Sequence, residues 1–120
     1  MDNKEFREYL IKRASEFSLS IMNLTRNLDN NISNKEITKQ LIRSSTSIGA
    51  NIVEAQAGSS RKDFANFINY ALKSANETIY WLELLKGSTK DSVSIYSSLN
   101  EVTQIAKILG SSVSKLRNKI

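Results

Sequence analysis

Apolar residues recur at every third or fourth position through almost the whole chain, and no proline interrupts them. That period is the feature that most restricts the fold, because it buries one stripe of a 3.6-residue helix and nothing else. In the first stretch Phe6, Leu10, Ala14, Phe17, Ile21, Leu24 and Leu28 keep the rhythm until Asp29-Asn30-Asn31 breaks it. Ile37, Leu41, Ile48 and Ile52 seam a second stretch, and Phe64, Ile68, Ala71, Ala75, Ile79, Leu82 and Leu85 a third. The fourth is the most regular: Ile95, Leu99, Val102, Ala106, Leu109, Val113, Leu116 and Ile120. No segment alternates with the period of a strand. The spacing predicts helices over about 5–28, 35–57, 61–86 and 91–118. Short turns between helices make antiparallel neighbours, so the expected fold is all-α: one domain over residues 1–120, an up-down-up-down four-helix bundle.

The punctuation supports these limits. Ser33-Asn34-Lys35-Glu36 reads as a capping box that opens the second helix, and Gly58 as a left-handed stop for it. Ser60-Arg61-Lys62-Asp63 repeats the start signal, with Ser59 as a second candidate cap. The third helix is expected to stop near Gly87, and Ser88, Thr89 and Asp91 to open the fourth. Ile105 and Ile108 lie off the main stripe of that last helix, with Ile95 and Tyr96 near its start. They fit either a second buried face, and so self-association, or a wide core stripe.

Composition removes whole classes of chemistry. The 120 residues include no Cys and no His, which excludes disulfides, thiolate nucleophiles, imidazole metal sites and Ser-His-Asp triads. No stretch approaches the ~20 apolar residues needed to span a bilayer. Asp2, Glu5 and Glu8 spoil a signal or transit peptide, so a cytoplasmic protein with no membrane partner is expected. Seventeen Lys and Arg against twelve Asp and Glu leave a net charge of +5, a modest bias toward anionic partners.

One stretch breaks helix rules. Arg43 to Glu54 places Ser44, Ser45, Thr46, Ser47, Gly49 and Asn51 inside the second helix. A mid-helix glycine costs on the order of 1 kcal/mol relative to alanine, a cost tolerated where a neighbouring backbone comes close. Ser44, Ser45 and Gly49 would allow such an approach. Ser74 and Glu77 on the third helix answer with Ser47, Asn51 and Glu54 as a polar cluster between facing helices. Two readings stand: Glu54 and Glu77 ligate a divalent ion or share a proton, or each accepts hydrogen bonds and sets helix register.

At these residues the chain resembles the four-helix-bundle proteins encoded in intervening sequences of bacterial 23S ribosomal RNA genes, also labelled S23 proteins. Their superfamily includes the accessory variability determinant of diversity-generating retroelements. The family pattern, roughly Arg-x-x-x-Ser-Ile-x-x-Asn-Ile-x-Glu-Gly, is matched by Arg43, Ser47, Ile48, Asn51, Ile52 and Glu54. Arg61, Phe64 and Phe67 match the following turn and helix start, and Ser74 and Glu77 a later Gly-Ser-x-x-Glu. Ala55 and Lys73 stand where the family has glycine. The resemblance implies a subunit that assembles into a ring, commonly a homopentamer, without an enzymatic activity or a cofactor. It also implies nucleic-acid binding and assistance to a reverse transcriptase for one branch, with a ribosomal component as a further possible partner.

Three basic groups are candidates to hold a nucleic acid. Lys35, Lys39 and Arg43 are spaced by four along the second helix; Arg61 and Lys62 sit at its far end; Lys115, Arg117 and Lys119 form a basic tail. Contacts of this kind address phosphates and weaken with salt. Tyr70, Tyr80 and Trp81 fall among core or near-core positions, which argues against a base-stacking platform. The residues thus allow a nucleic-acid-binding oligomer without catalysis, a protein-interaction scaffold, or a carboxylate metal enzyme at Glu54 and Glu77.

Overall fold

In a computed structural model that describes residues 3–89 and 93–118, the four expected segments are helices: α1 (Asn3–Arg26), α2 (Ile32–Ala55), α3 (Arg61–Ser88) and α4 (Val93–Asn118). Each packs on its neighbours in sequence, and α4 closes back on α1, the least extensive of the four contacts. Short connections join helices that pack side by side, so neighbours are antiparallel, and Ser18 with Ser45, Ser44 with Thr78 and Arg13 with Glu101 bridge three of the four seams. Its extents are 46 × 24 × 21 Å, a rod about one long helix in length. No strand occurs among the described residues.

The core is the set of seams read from the period. Ala14, Ile21, Leu41, Ile48, Ala71, Ala75, Leu82, Leu85, Val102 and Leu109 are wholly buried. Phe6, Leu28, Ile37, Phe64, Ile79 and Ala106 pack against the edge of that core. Ile105 is wholly buried and Ile108 packs on the core, so these two widen the stripe of α4 rather than form a second face. Tyr96 is exposed.

Helix limits differ from expectation by a few residues, each for a local reason. α2 begins at Ile32 because Asn31, not Ser33, is its cap: the Asn31 side chain accepts the Asn34 amide at 2.8 Å, and the Asn34 side chain donates to the Asp29 carbonyl at 2.8 Å. Ser33 and Glu36 therefore lie inside the helix. At its other end α2 stops at Ala55, and no described glycine has positive φ, so Gly58 is not a left-handed stop. Its small size matters instead: an added Cβ would lie 3.1 Å from the Ala55 carbonyl oxygen and 3.2 Å from the Phe64 nitrogen.

Ser60 caps α3 as expected, accepting the Asp63 amide at 3.0 Å. The returning bond comes from Ser59, whose amide donates to Asp63 Oδ2 at 3.1 Å. α3 passes through Gly87 to Ser88, with Thr89 as its extended C-cap. Ser88 and Thr89 therefore close α3 instead of opening α4, and Asp91 lies outside the described residues.

Candidate nucleic-acid interface

Small hydroxyl residues set how closely the helices approach. Ser44 and Ser45, adjacent on α2 and wholly buried, face different neighbours. Ser44 shares a 2.8 Å hydrogen bond with Thr78 of α3, while the Ser45 carbonyl accepts the Ser18 hydroxyl of α1 at 3.0 Å. Gly49 is a different case. A Cβ there would meet only the Ala14 Cβ at 3.6 Å, an ordinary contact, so packing within the bundle does not require the glycine.

The expected cluster of Ser47, Asn51, Glu54, Ser74 and Glu77 does not converge. Ser47 donates to the Arg43 carbonyl at 2.7 Å and Asn51 to the Ser47 carbonyl at 2.8 Å, both within α2. The Ser74 carbonyl accepts the Thr78 hydroxyl at 2.8 Å, within α3. Glu77 accepts from Arg43 across the α2–α3 seam and from the Trp81 indole at 3.4 Å. Register explains why Glu54 stays apart. Arg43 lies level with Glu77, and Glu54 is eleven residues farther along α2, about 16 Å at 1.5 Å per residue. Among the described residues no group of three or more Asp or Glu is placed to hold a metal ion.

The basic stripe of α2 is partly neutralised. Arg43 is bound to Glu77 and to Gln40 at 3.0 Å, and Lys39 Nζ lies 3.6 Å from Glu36. Lys35 is exposed in the first turn. The other two groups behave differently, because the up-down-up-down path returns the start of α3 and the end of α4 to one end of the rod. Arg61 and Lys62 there meet the level of Lys115 and Arg117, all four exposed. The start of α1 shares this end and adds exposed Lys4 and Arg7, which the reading by segments missed. Lys119 lies outside the described residues. Among the described residues the acidic side chains at the same end are Glu5, Glu8, Glu54 and Asp63, and the Asp63 carboxylate accepts the Ser59 amide.

The positions of these cations are informative. Lys115 and Arg117 occupy the last turn of α4, where positive charge favours the helix. Arg61 and Lys62 occupy the first turn of α3, where the helix dipole disfavours it. Helix stability accounts for the first pair and not for the second.

Two cations elsewhere are held by the fold. Arg13 is raised in pKa chiefly by its hydrogen bonds to Glu101, and Lys86 by its bond to Glu83 at 2.8 Å; Lys86 Nζ also lies 5.4 Å from the Tyr96 ring. The aromatic expectation is corrected. Trp81 packs on the core, but Tyr70 and Tyr80 are 48% and 57% exposed on the outer side of α3. A pocket of about 1070 Å³ between the end of α1 and the start of α4 is lined by Ser, Asn and apolar side chains with the acids Glu16, Asp29 and Glu101, and by no Lys or Arg among the described residues. No helix among the described residues is long and apolar enough to cross a membrane.

A family model described as 23S rRNA-intervening sequence protein matches residues 8–111. Among solved structures, a protein of unknown function from the S23 ribosomal protein family of Bacteroides thetaiotaomicron is 40% identical, with a TM-score of 0.77. The match covers 87% of this chain and 97% of that one. No curated protein matches.

Proposed function

Because the chain belongs to the 23S rRNA-intervening sequence protein family, we propose that it is a non-catalytic, self-associating bundle that holds nucleic acid on the basic end of the rod. The observation that carries this reading is the convergence of Arg61 and Lys62 with Lys115, Arg117, Lys4 and Arg7 at one end. Arg61 and Lys62 work against the dipole of their own helix, so a partner's charge is the simplest compensation. The contacts are to phosphates, with little reading of bases. Repetition of the patch in an assembly of copies turns a weak contact into an avid one. Exposed Leu19, Val53, Tyr70, Tyr80 and Leu84 supply apolar surface for such assembly.

The test is retention of structured RNA and duplex DNA by the nuclease-treated protein across a salt series. Binding is expected at about 50 mM salt, with log affinity falling linearly in log salt, by ~0.9 per duplex phosphate neutralised. Charge reversal at Arg61, Lys62, Lys115 and Arg117 is expected to flatten the slope and abolish retention. Reversal at Lys39 and Arg43, whose charges already have carboxylate partners, is expected to do less. Equal retention by the four-site variant would refute the assignment of the basic end.

A further inference from the structure

α1 and α4 share the least extensive of the four contacts, and at one end of the rod they frame a cleft of about 1070 Å³. The Arg13–Glu101 fork lies at its inner limit. From there the cleft runs to the end of α1 and the start of α4, away from the end that carries Arg61, Lys62, Lys115 and Arg117. Phe17, Leu24 and Ile95, all buried, give it an apolar floor.

Two carboxylates in its lining lack a firm partner. Glu16 lies 4.0 Å from Lys12 in an exposed pair, a kind that contributes little. The Asp29 carboxylate has neither a hydrogen bond nor an ion pair among the described residues. The two acids are thirteen residues apart in sequence, roughly 20 Å at the rise of a helix.

A buried hydroxyl on the facing helix also points to a ligand. Ser98 of α4 is 7% exposed, and its side chain bonds to no described group. Ser47 and Ser112 turn back to the carbonyl four residues earlier in their helices, and Ser98 does not. Among the described residues every fully enclosed polar side-chain atom has a partner, so the direction left open to Ser98 Oγ is the cleft it lines. A polar group this nearly buried costs free energy until something completes it. Glu16 follows Arg13 by three residues and Ser98 precedes Glu101 by three, so antiparallel packing sets Glu16 and Ser98 level across the seam.

We propose that this cleft binds a linear aliphatic polyamine. One terminal ammonium donates to Glu16 and Ser98 at the inner end, and the other meets Asp29 at the mouth. The methylenes between them lie on Phe17, Leu24 and Ile95. Other ligand classes match less of the lining. A divalent metal lacks a converging group of three acids among the described residues, a polyanion meets carboxylates without a described Lys or Arg, and a neutral sugar leaves both acids unpaired. The site is separate from the basic end, and its failure would leave the nucleic-acid reading standing.

Calorimetric titration of spermine into nucleic-acid-free protein at low salt tests it. One spermine per chain is expected, with affinity falling as salt rises. Putrescine, too short to reach both acids, and uncharged tetraethylene glycol are expected to bind at least about tenfold more weakly. Glu16→Gln and Asp29→Asn are each expected to weaken spermine about tenfold and Ser98→Ala about threefold, with Glu8→Gln at the basic end leaving it unchanged. Circular dichroism checks that each variant is folded. Absence of saturable binding, putrescine binding as tightly as spermine, or an equal loss in the Glu8 variant would overturn the assignment. So would wild-type affinity in the double variant Asp29→Asn with Ser98→Ala.

Discussion

The guanidinium of Arg13 on α1 grips the carboxylate of Glu101 on α4 with two hydrogen bonds, Nε to Oε2 at 2.8 Å and Nη2 to Oε1 at 2.7 Å. The same head group donates to Gln104 at 2.7 Å and to the Tyr9 hydroxyl at 2.8 Å. This fork spans the seam where two helices share the least surface, and the Arg13 side chain is only 18% exposed, against 59% for Arg43 in its pair with Glu77.

Arg13→Met keeps the apolar stem and removes the fork. It is expected to lower stability by about 1–2 kcal/mol, above the usual surface pair because the bond is bidentate and part-shielded. Urea unfolding of the variant beside Glu101→Gln checks this, and a change within a few tenths of a kcal/mol in both would remove the fork from the account of stability.

The Ser44–Thr78 bond is buried on both sides, which makes its loss asymmetric. Thr78→Val leaves the Ser44 hydroxyl without its partner on α3 and is expected to cost about 1–3 kcal/mol. The double variant Ser44→Ala with Thr78→Val removes both groups and is expected to recover part of that loss. A double-mutant cycle by denaturant unfolding reads the coupling, and strictly additive effects would contradict it.

Gly49→Ala adds a methyl that has room beside Ala14. Helix propensity then predicts a gain of roughly 0.5–1 kcal/mol. Thermal unfolding of the dilute chain measures it; a loss would mean that the α1–α2 contact is tighter than its geometry shows.

Gly58→Ala is expected to behave in the opposite way, although both glycines have negative φ. Its methyl would crowd backbone atoms of Ala55 and Phe64 at 3.1 and 3.2 Å, so the turn between α2 and α3 has to shift. A loss of about 1 kcal/mol or more, within the range of overpacking, is the expected unfolding result.

How far the sequence could be read is best seen residue by residue. Ile48 and Leu82 were recognisable as core because a helix places every third or fourth residue on one side, a rule that needs no knowledge of the partner. Asn31 was missed as the cap of α2 because Ser33 and Glu36 match the capping pattern equally well, and only the bond from Asn34 back to Asp29 separates them. Thr78 was missed because a hydroxyl inside an apolar seam looks like a gap until Ser44 stands opposite. Lys4 and Arg7 could have been added to the basic end from topology alone, since antiparallel order puts the starts of α1 and α3 beside the ends of α2 and α4.

The number, lengths and inner stripes of the four helices were determined by the chain itself, because helical period and capping are short-range properties. Pairing across the bundle was decided only by the tertiary structure. Arg13 and Glu101 are separated by 88 residues, and Ser44 and Thr78 by 34. Whether such residues meet depends on the rotation and offset of one helix against another. Those are set by how the whole core fills space, and no local pattern encodes them. The same packing paired Arg43 with Glu77 and left Glu54 apart.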